Sequence, residues 1–172
     1  LAAVRTAGVR TINNDQRLGV AAEPQAEAAS ARAASSLRYV SLPRLEAAIA
    51  DYSSVIRLEP DDIDARFDRA LLTTTAARFD EAIADYTHII KLKPDNKNAY
   101  EARASLWGKD DHGRAIADYG EVIRIDPKNW KAHQERSGKW AELGDDDRAL
   151  EDLYAAARVK PDERSIYSTR AK

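Results

Sequence analysis

Ala48, Ile49, Tyr52, Val55 and Ile56 fall at i, i+1, i+4, i+7 and i+8, with polar or small residues between them. That spacing lays an apolar stripe along one face of an α-helix and does not fit a strand. The surrounding stretch, LEAAIADYSSVIRLEPDD from Leu45, recurs as FDEAIADYTHIIKLKPDN from Phe79 and HGRAIADYGEVIRIDPKN from His112. A looser copy, DDRALEDLYAAARVKPDE, starts at Asp146. The closing prolines Pro60, Pro94, Pro127 and Pro161 are 34, 33 and 34 residues apart. Each ends its helix, because proline cannot continue one and biases its predecessor away from the α region.

A second helical pattern precedes each of the later copies. The segments after Pro60, Pro94 and Pro127 align on Ala65, Ala99 and Ala132, and on Arg69-Ala70, Arg103-Ala104 and Arg136-Ser137. Asp62, Asn96 and Asn129 stand two residues after a proline and suit the N-cap of a new helix. After Pro161, RSIYSTRAK begins a further first helix, with Ile166, Tyr167, Arg170 and Ala171 facing the preceding unit and polar residues facing outward. The unit is thus helix–turn–helix of about 34 residues, and stacking such units makes one continuous core.

The expected fold is all-α: an α-solenoid of about four repeats with a short C-terminal capping helix. Residues 1–22, which include a turn-like Asn13-Asn14-Asp15 and show no helical period, form an arm or linker. The repeat domain takes residues 23–172, with repeats at about 29–62, 63–96, 97–129 and 130–163 and the cap at 164–172. The Ala-rich stretch from near Pro24 supplies the first helix of repeat one, and Pro43 is expected in the turn before Leu45. Repeat three is one residue short, between Ala104 and Ala115, so its turn is expected to be tightened.

These residues resemble the tetratricopeptide repeat (TPR) family, whose repeat is 34 residues long. With each closing proline numbered 32, the family's preferred Ala at position 20 is matched by Ala48, Ala82, Ala115 and Ala149. Its aromatic at 24 is matched by Tyr52, Tyr86 and Tyr119, with Leu153 in the fourth copy. Position 8 is small throughout (Ser36, Ala70, Ala104, Ser137), and position 11 holds Tyr39, Thr73, Trp107 and Trp140. Position 27 departs as Val55, Ile89 and Val122 and matches as Ala156, while Leu143–Asp145 spells the usual inter-helix turn. Position 7 departs most: Arg69, Arg103, Arg136 and Arg170 stand where the family favours Leu. Two readings of these arginines are open. Their stems can lie over the core with each guanidinium paired to a repeat carboxylate, or they can form a ladder of cations for an acidic ligand. The packing position favours the first. The aspartates of the AIADY copies, Asp51, Asp85 and Asp118, are expected on the polar side, facing water.

The resemblance implies a scaffold that binds a protein or peptide partner in the concave groove lined by first helices, chiefly at positions 2, 5, 9 and 12. Those positions nominate Asp64, Phe67 and Leu71 in repeat two, Asn98, Glu101 and Ser105 in repeat three, and Lys131 and Gln134 in repeat four. Some family members clamp a terminal carboxylate with Lys, Asn and Arg. The matching positions here hold Phe67, Leu71, Ala102, Lys131 and Glu135, or, one repeat earlier, Ala33, Leu37, Asp68, Asn98 and Ala102. Neither set forms a clamp, so chaperone-tail binding is not expected. An alternative to a free-standing adaptor is a regulatory or docking domain of a larger enzyme or of a secretion or assembly complex.

Composition narrows the chemistry. Hydrophobic residues are 44% and charged residues 33%, enough for a packed core under a polar surface, and the formal net charge is −2 with no clustered basic face for nucleic acid. No apolar run approaches the roughly 18 residues of a membrane span. With no Cys there is no disulfide, thiolate ligand or Cys nucleophile. His88, His112 and His133 have no ligand partner at metal spacing, and the acidic runs at Asp110–His112 and Asp145–Asp147 are read as helix caps. No phosphate loop, nucleophile elbow or catalytic carboxylate pair is present, so no cofactor and no enzymatic activity are expected. The absence of Met, even at position 1, leads us to expect a processed product or an excised fragment. An Ala- and Arg-rich, Cys-free chain suits a bacterial protein, cytoplasmic or exported to the periplasm, and both the solenoid ends and the arm offer surfaces for a homo-oligomer.

Overall fold

A computed structural model describes residues 42–107, 111–164 and 166. The expected arm, the first helix of repeat one, and Tyr167, Arg170 and Ala171 of the cap lie outside the described residues. Among those described there are seven α-helices and no strand: α1 (Leu42–Leu58), α2 (Ile63–Thr75), α3 (Phe79–Leu92), α4 (Lys97–Trp107), α5 (His112–Ile125), α6 (Trp130–Glu142) and α7 (Asp146–Val159). Helix α1 is the second helix of repeat one; α2/α3, α4/α5 and α6/α7 are the pairs of repeats two to four. The principal packing joins helices adjacent in the chain, as in a solenoid built by stacking.

Local chemistry sets the helix starts. Asp62, Asn96 and Asn129 accept the backbone N–H of Ala65, Ala99 and Ala132 at 3.0, 3.1 and 3.1 Å. Asp111 and Asp145 do the same for Arg114 and Arg148, so the acidic runs begin helices as expected. Pro43 does not sit in a preceding turn. It lies in the first turn of α1, where its missing N–H costs no intrahelical bond.

The cores are linked from repeat to repeat. Ala48, Ala82 and Ala115 are wholly buried, and their small size lets helices approach closely. Tyr52, Val55 and Ile56 of α1 pack with Ala65 of α2. Tyr86 and Ile89 of α3 join Ala70 of α2 and Ala99 of α4. Tyr119 and Val122 of α5 join Tyr100 and Ala104 of α4 and Ala132 of α6. Leu153 and Ala156 of α7 pack with Ile166, which is 1% exposed and docks the start of the cap as its register implies.

The turns of repeats two and four close in the same way. Arg78 N–H donates to the Thr73 carbonyl at 2.8 Å, and Asp145 N–H to the Trp140 carbonyl at 3.0 Å, which are the six-to-one bonds of a Schellman turn. The left-handed residue this turn requires is Gly144 (φ 77°) in repeat four but Ala77 (φ 58°) in repeat two. Alanine carries a steric cost there that glycine does not. Ala77→Gly is therefore expected to stabilise the protein by about 1 kcal/mol, read as a rise in the urea midpoint. An unchanged or lower midpoint would show that the turn tolerates Cβ without strain.

Candidate partner-binding groove

A ladder of ion pairs ties each first helix of repeats two to four to its second helix. Arg69, Arg103 and Arg136 each grip one carboxylate with Nε and Nη2: Asp85, Asp118 and Asp152, at 2.8 and 2.7 Å in every case. The paired arginines of the first reading are observed. The aspartates are not on the water side, however. Asp85, Asp118 and Asp152 are 2%, 5% and 4% exposed, because each first-helix guanidinium reaches across to the second helix and makes their burial possible. Asp51, whose repeat carries Ser35 at position 7, is only half-buried.

Position 4 adds a second partner in two repeats. Arg66 Nη1 donates to Asp85 Oδ1 at 3.1 Å, and His133 Nδ1 lies 2.9 Å from Asp152 Oδ1. In repeat three the place belongs to Tyr100, over whose ring Arg103 sits. Burial alone would raise the Asp152 carboxyl, but its bonds with Arg136 and His133 outweigh that and hold it below the usual carboxylate range. Its contribution to stability is accordingly present at neutral pH and lost as acid protonates it.

In repeats two and three the remaining guanidinium nitrogen ties the repeat to the one before. Arg69 Nη1 donates to Ser53 Oγ at 3.1 Å, and Arg103 Nη1 to Thr87 Oγ1 at 2.9 Å. The equivalent of Ser53 and Thr87 in repeat three is Gly120, and a Cβ built there would lie 3.6 Å from Arg136 Nη1, an ordinary contact. Gly120→Ser should therefore complete the ladder. It combines better helix propensity than glycine with one hydrogen bond to a cation, for a gain of about 1–2 kcal/mol. Gly120→Ala supplies the propensity alone. Denaturation that ranks Ser below Ala would reject the hydroxyl's role.

The positions nominated for the groove lie on the first helices α2, α4 and α6. A depression of about 370 Å³ is lined by Ile63, Asp64, Phe67, Asp68, Asn96 and Asn98, so three of the nominated residues share one concavity. Phe67 and Ile63 form its apolar part, and Phe67 is propped edge-to-face by Tyr86, with ring centroids 5.4 Å apart at 71°. Leu71, one turn further along α2, is 48% exposed. Glu101 accepts the Asn129 side-chain amide, so it also helps hold the α6 cap. Lys131 is exposed and lies 5.8 Å from the Trp130 ring centroid, and Gln134 is half-buried on the same helix. Ser105 lies elsewhere: it lines a cavity of about 690 Å³ beside the α2–α3 turn, with Phe79, Leu106 and Trp107.

Sequence reasoning did not find two features. Asp68 lines the depression and accepts the Tyr52 hydroxyl at 2.7 Å. Arg114 and Arg148 stack over Trp107 and Trp140, at 4.7 and 4.5 Å from the ring centroids. The signal for the second was the recurrence of Arg at position 19 in the two repeats that have Trp at position 11.

Residues 36–107 match a family model described as tetratricopeptide repeat. Among solved structures, a crystal structure of MamA superposes with a TM-score of 0.69 at 17% identity, covering 81% of this chain and 79% of that one. A MamA structure running from residue 41 to the end, from Desulfovibrio magneticus RS-1, gives 0.67 at 15% identity, covering 83% and 78%. The Arabidopsis OM64 TPR domain gives 0.56 at 23% identity, covering 62% and 88%. At these identities the likeness is one of fold. No curated protein matches the sequence.

Proposed function

The chain is a tetratricopeptide repeat protein, and from that premise we propose that it acts as an adaptor whose concave groove holds a peptide segment of a protein partner. The fold makes it a protein-interaction scaffold in general; the groove, the peptide and the contact residues are our assignment. The observation that carries it is the gathering of Asp64, Phe67 and Asn98 around one depression, with Leu71 exposed beside it. An aliphatic side chain left open next to a rigid aromatic is the kind of anchor a helical or extended ligand uses. The nominated contacts are Asp64, Phe67, Leu71, Asn98, Glu101, Lys131 and Gln134, where the repeats differ from one another; Ser105, at the cavity beside the α2–α3 turn, stands apart from them.

Peptides selected by display against the whole chain provide the test. Leu71→Asp is expected to weaken the selected peptides at least about tenfold, roughly 1.4 kcal/mol, and Lys131→Glu to alter which peptides are selected. Glu151→Ala, on the exposed face of α7, should change neither. Peptides that bind the Leu71 and Lys131 variants as they bind the parent would reject the groove.

A further inference from the structure

The cations near the groove are already committed. Arg69, Arg103 and Arg136 are locked onto buried carboxylates, and Arg66, its side chain 12% exposed, is shared between Asp85 and the Pro60 carbonyl. Lys97 is paired with Asp126 at 2.8 Å. The carboxylates of the same first helices are differently placed. Asp64 and Asp68 are exposed at the depression, and Asp68 is held by a neutral tyrosine hydroxyl rather than a cation. Glu135 is exposed on α6, and Glu101 is met by a neutral amide. The Tyr119 hydroxyl is pushed up first by burial and then by the negative charge of Glu135 and Glu101. Against these four, Lys131 is the exposed first-helix cation at the nominated positions.

We infer that the groove selects a cationic partner segment, one in which an aliphatic or aromatic residue is flanked by Lys or Arg, with the apolar residue against Phe67 and Leu71 and the basic residues along Asp64, Asp68 and Glu135. This rests on the groove reading above and adds the chemistry of its occupant. The apolar depression supplies the anchor, and the uncompensated carboxylates supply the charge complement. The preference runs opposite to a carboxylate clamp, in keeping with the sequence's failure to form one. Charge complementarity at an exposed rim acts mainly on encounter and partner choice, so the preference must weaken with salt.

The experiment uses an array of random dodecapeptides probed with the whole chain, at low and at high NaCl. The strongest binders are expected to be enriched in Lys and Arg beside Leu, Ile, Phe or Trp, and to lose about tenfold in affinity at high salt. The triple variant Asp64→Asn, Asp68→Asn, Glu135→Gln should cost these peptides about tenfold while leaving uncharged apolar binders unchanged. Asn at 68 can still accept the Tyr52 hydroxyl, and an unchanged circular-dichroism melt confirms that the variant folds. Enrichment in acidic or uncharged peptides whose binding is still lost in Leu71→Asp would overturn the cationic preference and leave the groove intact. Cationic binders indifferent to both the triple variant and Leu71→Asp would overturn the groove and the preference together. An array with no binder above background would do the same.

Discussion

Asp85→Ala is expected to lower the unfolding free energy by about 3–5 kcal/mol, the cost of stranding buried charge. Asp85 is 2% exposed and accepts three hydrogen bonds, two from Arg69 and one from Arg66. Removing it leaves two guanidiniums without their counter-charge, their side chains only 12% and 23% exposed. The effect falls towards the lower end of that range because Arg69 can partly reach water. The same logic ranks the series. Asp118→Ala strands Arg103 alone and should cost less, about 2–3 kcal/mol. Asp51→Ala removes a half-buried carboxylate whose repeat lacks the arginine and should cost under about 1 kcal/mol. Urea denaturation of the three variants gives the order directly. Equal costs, or Asp51 costing most, would mean that the ladder is not what holds the second helices.

Tyr86→Ala should cost about 3–5 kcal/mol, the usual range for emptying a buried aromatic site. It should also weaken peptide binding in the fraction that remains folded. The ring is 1% exposed, sits in the core shared by α2, α3 and α4, and props Phe67 from behind. Tyr86→Phe keeps the prop and loses the hydroxyl, so its cost should be about 1 kcal/mol with peptide affinity intact. The two variants therefore separate the ring from its polar end. Burial pushes the Tyr86 hydroxyl up to about 12, with a Thr74 hydrogen bond opposing it, against an ordinary value near 10. A raised value in the folded state means a contribution to stability that is full below about pH 10 and lost as pH rises towards 12. Tyr86→Phe should accordingly stay folded to higher pH than the parent in an alkaline melt. If both proteins unfold at the same pH, Tyr86 does not control alkaline stability.

The repeat frame was legible because it is written in period and punctuation. Prolines at near-constant spacing, apolar residues at helical intervals and a capping residue two places after each proline act locally, and α2 to α7 form where these signals place them. The aspartates were misplaced for the opposite reason. A helical wheel sets Asp85 beside Tyr86 on the flank of α3, and whether that flank meets water depends on an arginine 16 residues earlier on another helix. A signal existed all the same: Arg at position 7 and Asp at position 23 occur together in repeats two to four, and repeat one lacks the Arg. The groove positions on α2 and α4 were nominated from the family's geometry, and three of them, Asp64, Phe67 and Asn98, line one depression. Asp68 was weighed only as a clamp position for a carboxylate, where its own negative charge rules it out, and so was passed over as a groove residue. The missing hydroxyl at Gly120 is visible in the aligned copies, where Ser53 and Thr87 follow AIADY, but its role is not: only the stack shows those hydroxyls meeting the next repeat's arginine.

Likeness between the repeats serves packing, and on the function proposed here their differences serve recognition. Amide chemical-shift mapping tests it most directly, with isotope-labelled protein titrated by a display-selected peptide. The shifts are expected to concentrate on α2, α4 and α6, around Asp64, Phe67, Leu71, Asn98 and Lys131. Shifts concentrated instead on the outward faces of α3, α5 and α7 would contradict it.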